Sequence, residues 1–151
     1  MKPIIFLDYD GVVNTIFWRE YDGIFKAKYA TSTDGFVNNF QAICWLNELF
    51  KLYPYDIVVT STWRLNNHYA DFLYNGGLNK EIKVIGRTPR LNTIRGEEIK
   101  QWMSSNNFEG KFVIVDDDSD MGDLKRYLVQ CNPFTGFGIQ EMYKVLEIFN
   151  C

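Results

Sequence analysis

Five short apolar runs punctuate the chain, and each ends in a polar residue or a turn signal. Pro3–Leu7 reads as a buried strand stopping at Asp8, and Ile57–Thr60 as a second strand stopping in hydroxyls. Ile82–Ile85 predicts a third strand, Phe112–Val115 a fourth that runs into acids, and Leu128–Cys131 a short fifth. Between these runs the apolar positions follow a helical period. Phe36, Phe40, Ile43, Cys44, Leu46, Leu49 and Phe50 predict a helix over Phe36–Leu52, which Pro54 stops. A short helix around His68–Tyr74 ends at Gly76-Gly77, and another covers Glu97–Ser104. Ile139–Phe149 closes the chain as a helix with Ile139, Met142, Val145, Leu146 and Phe149 inward. Residues 11–35 keep no steady period yet carry Phe17, Trp18, Tyr21, Phe25 and Tyr29, so a short flap is expected at about residues 12–35.

Strands alternating with helices predict an α/β fold: a mainly parallel five-stranded sheet with helices on both faces. Ligands of such folds bind beyond the carboxyl ends of the strands, and Asp8, Thr60 and Asp116 all fall there. A length of 151 residues fits one domain, taken as 1–151. No apolar run is long enough to cross a bilayer, so no membrane association is expected. The first residues lack the pattern of a secretory signal, and Cys44, Cys131 and Cys151 form no CxxC pair. Reduced thiols in the cytoplasm are the expectation. With His68 the only histidine, a zinc site is not expected.

Charge changes the picture through its placement. The net charge of −3 argues against a broad electrostatic grip on nucleic acid, although not against a local one. Seven aspartates gather in two clusters, Asp8 and Asp10, then Asp116, Asp117, Asp118, Asp120 and Asp123. Each cluster directly follows a strand. Like charges held that close are costly unless solvated, paired or bound to a hard divalent cation. An Asp-Gly turn would explain the first cluster alone, and an exposed acidic turn the second. Two such strand ends in one sheet point instead to a shared Mg²⁺ site.

Within DYDG, carboxylates at i and i+2 address one point beyond the strand, and Gly11 lets the backbone turn away. Asp8 could attack a phosphorus while Asp10 handles the leaving-group proton. Thr60, Ser61 and Thr62 suit either a helix cap or the binding of a phosphate oxygen. Arg64 suits a substrate phosphate or a plain surface position. Arg87, Arg90 and Arg95 crowd one loop, where a guanidinium beside a metal–carboxylate site would clamp a phosphoryl group. Glu97 and Glu98 favour the dipole of the helix they open and need no further role.

Taken in order, these four segments resemble the haloacid dehalogenase superfamily of phosphohydrolases. DYDG at 8–11 looks like its first motif, Thr60 its second, Arg95 its basic third, and Asp116-Asp117 its acidic fourth. More narrowly, DGVVN, VVTSTWR, RGEEIKQWM and VIVDDDSDM are similar to the compact phosphatase-like domain of Swiss-army-knife RNA-repair proteins. They are also similar to nucleotidase and polynucleotide phosphatase domains. The resemblance implies a Rossmann-like fold without a large cap domain. It makes Asp8 the nucleophile, Asp10 the acid and base, Thr60 with the Ser61 amide the holder of a phosphoryl oxygen, and Arg95 the neutraliser of developing charge. Mg²⁺ would lie on the Asp8 carboxylate, the Asp10 backbone carbonyl and Asp116 or Asp117, the latter favoured. Arg90 and Lys100 stay open as alternatives to Arg95, because the third motif has no fixed spacing.

The expected activity is an Mg²⁺-dependent phosphomonoesterase working through an aspartyl-phosphate. Its expected partner is a phosphorylated small molecule or a nucleic-acid end, and the flap aromatics, with Trp63, would either stack on bases or fill the core. A phosphotransferase using the same intermediate is one alternative. A non-catalytic phosphate-binding or regulatory module is another, although a receiver domain would place its paired acids after the first strand.

Overall fold

The protein, described by a computed structural model for residues 1–15 and 40–151, is built on one five-stranded sheet. The strands are β1 (Ile4–Leu7), β2 (Asp56–Val59), β3 (Val84–Arg87), β4 (Phe112–Asp116) and β5 (Leu128–Gln130). Their spatial order is β3-β2-β1-β4-β5 and every pairing is parallel. The helices are α1 (Phe40–Leu52), α2 (Asp71–Asn75), α3 (Arg95–Ser105) and α4 (Ile139–Asn150).

Strand alternation explains the two layers. Ile5, Leu7, Ile57, Val59, Val113 and Val115 face one side, where Ile43, Leu46 and Leu49 of α1 and Met142, Val145 and Phe149 of α4 cover them. Ile4, Phe6, Val58 and Ile114 face the other, beneath Ile99 and Trp102 of α3. All of β1 is buried, as a central parallel strand with both faces covered must be. The structure is thus the α/β, Rossmann-like arrangement expected, and the described residues hold no second domain above the sheet.

Several boundaries differ from expectation. β3 begins at Val84, although Ile82 is fully buried. Ile82 sits in the turn before the strand, its N–H donating to the Asn79 carbonyl at 3.0 Å, so its apolarity marks burial and not pairing. Two 3₁₀ turns, Thr62–Leu65 and Gly122–Tyr127, follow β2 and β4, where the sequence has no sustained period. Ile139 opens α4 one turn ahead of Met142 and is exposed, whereas Leu146 packs half-buried against the core. Residues 36–39 of the expected first helix and 16–35 of the expected flap, with Phe17, Trp18, Tyr21 and Phe25, lie outside the described residues. No helix among the described residues is long and apolar enough to cross a membrane.

The first turn of α3 is seated on the segment after β4. The Gly96 N–H donates to the Asp120 carbonyl at 3.2 Å, and a Cβ at Gly96 would overlap the Met121 carbonyl. Backbone cannot yield as a flexible side chain would. Gly96→Ala should therefore cost about 1–3 kcal/mol, read as a lower urea midpoint at unchanged slope.

Candidate active site

Hydrogen bonding continues one residue beyond the strands and sets the rim of the sheet. The Asp8 N–H donates to the Val115 carbonyl at 3.0 Å, and that of Thr60 to the Leu7 carbonyl at 2.9 Å. That of Thr88 donates to the Val59 carbonyl at 3.0 Å. With Leu7 paired to both Val59 and Val115, Asp8 stands between Thr60 and Asp116. The three strand ends noted in the sequence are neighbours in space.

After Asp8 the chain closes into a tight turn. The N–H groups of Val12, Val13 and Asn14 all donate to the Tyr9 carbonyl, and Gly11 adopts φ +79°. Tyr9 points into the core, stacked on Phe72, while its hydroxyl donates to the Tyr69 carbonyl. The side chains flanking it belong to the rim. Asp10 Oδ1 accepts from Asn14 Nδ2 at 3.1 Å, so Asn14, itself fully buried, orients Asp10. A Cβ at Gly11 would collide with the Asp117 carboxylate. Glycine thus serves twice there, in left-handed backbone and in letting the fourth segment approach the first.

Asp8, Asp116 and Asp117 bring one carboxylate oxygen each within 4.8 Å of one another. Arg95, from the first turn of α3, lies between two of them. Its Nη1 is 3.0 Å from Asp8 Oδ1 and 2.8 Å from Asp116 Oδ2. Asp116 Oδ1 accepts the Asp118 N–H at 2.9 Å, so both oxygens of Asp116 are engaged. No hydrogen bond or ion pair among the described residues engages the Asp117 carboxylate. A hard cation seeks anionic oxygens with open lone pairs, and Asp8 with Asp117 fits that need best.

Electrostatics shows the strain of this gathering. Burial pushes the Asp8 carboxyl well above the ordinary carboxylate range; Arg95 opposes the rise and Asp117 adds to it. Burial raises Asp116 as well, reinforced by Asp8 and again opposed by Arg95. For Arg95, burial works against the charge, but Asp8 and Asp116 outweigh it and hold the guanidinium above its ordinary pKa.

The Thr60 side chain is fully buried, and its Oγ1 has no hydrogen-bond partner among the described residues. An unmet buried hydroxyl costs about 1–3 kcal/mol, a cost that a ligand oxygen at the rim would remove. Ser61 Oγ caps the following 3₁₀ turn by accepting the Trp63 N–H at 3.2 Å. Arg64 is buried and turned inward. It donates to the carbonyls of Thr60, Ser61 and Thr88 at 2.8, 3.0 and 3.0 Å and pairs with Glu98 at 2.9 Å. Trp63 stacks on Phe72 against the core. Of the alternatives to Arg95, Lys100 is bound to Glu97 and Asp123, and Arg90 lies on the loop before α3.

Sequence reasoning missed Asn14 and Glu98. Glu98 is buried, takes the Arg64 guanidinium and also accepts the Leu91 N–H at 3.0 Å. A signal existed: Arg95, Glu98, Ile99 and Trp102 recur at i, i+3, i+4 and i+7, the inward stripe of one helix. Asp120 was noted only as part of the acidic cluster. Its Oδ2 accepts the Arg95 N–H at 3.3 Å and its carbonyl accepts that of Gly96, which fixes where Arg95 starts.

Glu98→Ala leaves a buried guanidinium unpaired and should cost about 3–5 kcal/mol in urea unfolding. A pH prediction follows from the two raised carboxyls. In the metal-free protein they favour folding most in acid and lose that contribution as pH climbs from about 4 towards about 8. A divalent cation on Asp8 and Asp117 requires the Asp8 carboxyl ionised. The rise in thermal midpoint on adding Mg²⁺ should be small near about pH 5, reach about 4 °C or more near about pH 8, and shrink in Asp117→Ala.

A protein-family model described as the HAD domain in Swiss Army Knife RNA repair proteins matches residues 4–142. No curated protein matches the chain. The match spans every strand of the sheet and each of the four strand-end segments. The chain therefore belongs to the haloacid dehalogenase superfamily, in the family of HAD domains found in Swiss Army Knife RNA repair proteins.

Proposed function

We propose that this domain is a phosphomonoesterase in which Asp8 attacks the terminal phosphate of a nucleotide or nucleic acid. The observation that carries the reading is the convergence of Asp8, Arg95, Asp116 and Asp117 on adjoining strand ends. The family's RNA-repair description supports a nucleic-acid end as substrate.

In the proposed reaction an oxygen of Asp8 bonds to phosphorus as the ester oxygen departs with a proton from Asp10. The product is an aspartyl-phosphate and a free alcohol. Asp10, now anionic, takes a proton from water, whose oxygen attacks the same phosphorus and releases Asp8 and inorganic phosphate. Asn14 holds one Asp10 oxygen and leaves the other for these transfers. Arg95 binds only Oδ1 of Asp8 and keeps the nucleophile from rotating away. The Thr60 hydroxyl and the Ser61 amide hold the phosphoryl oxygens, while Arg64 works from behind by fixing the Thr60 and Ser61 carbonyls. Asp116 acts through Arg95. Mg²⁺ on Asp8, Asp117 and the Asp10 carbonyl would neutralise charge on the phosphoryl group.

Uncatalysed hydrolysis of phosphate monoesters is slow enough that enzymes reach accelerations of about 10²¹. Covalent attack, acid catalysis and fixed cations divide that barrier. Phosphate release should be measured with and without Mg²⁺ on phosphorylated oligonucleotides, mononucleotides and sugar phosphates. Asp8→Asn should fall to background, and Asp10→Asn should lose about 10²–10⁴-fold. Release that survives Asp8→Asn in a clean preparation, or none from any substrate, overturns the reading.

A further inference from the structure

A cleft of about 190 Å³ adjoins the reaction centre and shares Arg95 with it as a wall. Its other walls are Thr62 and Arg64, from the turn after β2, and Arg90, Asn92 and Thr93, from the loop before α3. Asn92 takes a left-handed backbone, φ 54°, within that loop. The two acids of the cleft are Glu98 and Asp120. Among the described residues no aromatic or aliphatic side chain lines it, so the cleft suits a charged or hydroxylated group better than a base.

Three arginines here face two acids, and their commitments differ. Arg64 is paired with Glu98, and Arg95 is held by Asp8 and Asp116. Asp120 accepts the Arg95 backbone N–H and has no arginine side chain of its own. Arg90 is exposed, and no acid or carbonyl among the described residues engages it. The cleft therefore offers one uncommitted guanidinium beside the hydroxyls of Thr62 and Thr93 and the amide of Asn92. That donor set matches a phosphate, which a guanidinium binds with two parallel hydrogen bonds.

We propose that this cleft holds a second phosphate of the substrate, one sugar removed from the phosphate that Asp8 attacks, with Arg90 as its main contact. The inference rests on the reading of Asp8 as the centre for a terminal phosphate. It narrows the substrate class to molecules in which a sugar carries two phosphates. The second phosphate is either the internucleotide linkage of an oligonucleotide or a free group on a nucleoside bisphosphate.

The test compares dinucleotides bearing a 5′- or a 3′-terminal phosphate, the same dinucleotides with an uncharged methylphosphonate linkage, a nucleoside 3′,5′-bisphosphate and the matching monophosphates. Wild-type kcat/KM should be at least about tenfold higher when the second phosphate is present and charged. Arg90→Ala should bring that ratio close to one, and Arg90→Lys should restore part of it. Equal preference for dinucleotide and bisphosphate makes a free phosphate sufficient; preference for the dinucleotide alone assigns the cleft to a chain. Both support the inference. A methylphosphonate turned over as well as the charged linkage, or a ratio indifferent to Arg90, overturns it while the phosphatase reading stands. If no substrate is hydrolysed, the phosphatase reading fails and this inference, which rests on it, fails with it.

Discussion

Three carboxylates held within 4.8 Å of one another repel, and burial deepens the cost. What makes the arrangement tenable is Arg95, whose Nη1 touches Asp8 and Asp116 together. The third carboxylate, Asp117, has no cation among the described residues to balance it. The proposed centre is thus short of positive charge, which is the electrostatic condition for the divalent cation and the phosphoryl group of the proposed reaction. Neutralising all three from within the protein would stabilise the fold and remove its reason to bind either.

Everything that positions Arg95 traces to the sheet. Parallel pairing in register aligns the ends of β1, β2 and β4, so Asp8, Thr60 and Asp116 emerge side by side. The helix bearing Arg95 crosses the opposite face from α1 and α4, anchored by Ile99 and Trp102. Its first turn is seated by Asp120 and by the close contact of Gly96 with the Met121 carbonyl. One turn along, Glu98 takes Arg64, which gathers the carbonyls of Thr60, Ser61 and Thr88. A buried ion pair seldom adds stability over an apolar one, but Arg64 also satisfies the Thr60 and Thr88 carbonyls, which apolar packing would leave unbonded; the Ser61 carbonyl already accepts the Arg64 N–H.

The sheet was legible because central parallel strands advertise themselves as apolar, β-branched runs, and each ended in a residue that does not belong inside. The acids were legible for the same reason: an Asp following Phe6-Leu7 or Val113–Val115 must sit at a rim. Boundaries failed where burial and strand pairing part company, as at Ile82, or where 3₁₀ turns leave no period. Arg64 read as a contact for a substrate phosphate or a surface group because a guanidinium is usually solvated; its partner Glu98, 34 residues away, is what makes its burial tolerable. That pairing is a tertiary fact, foreshadowed in the sequence only by the inward helical stripe that Glu98 shares with Arg95.

That shared stripe has a mechanical consequence. Arg95 steers the acidic side of the centre and Glu98, through Arg64, steers the hydroxyl side, yet both ride on one rigid rod. Lower on the same rod, Trp102 presses against β3 at Gly86, where its Nε1 would lie 3.1 Å from a Cβ. A side chain added at that contact would bear on the same helix that carries Arg95 and Glu98. One helix thus joins the edge of the sheet to both sides of the proposed phosphoryl site.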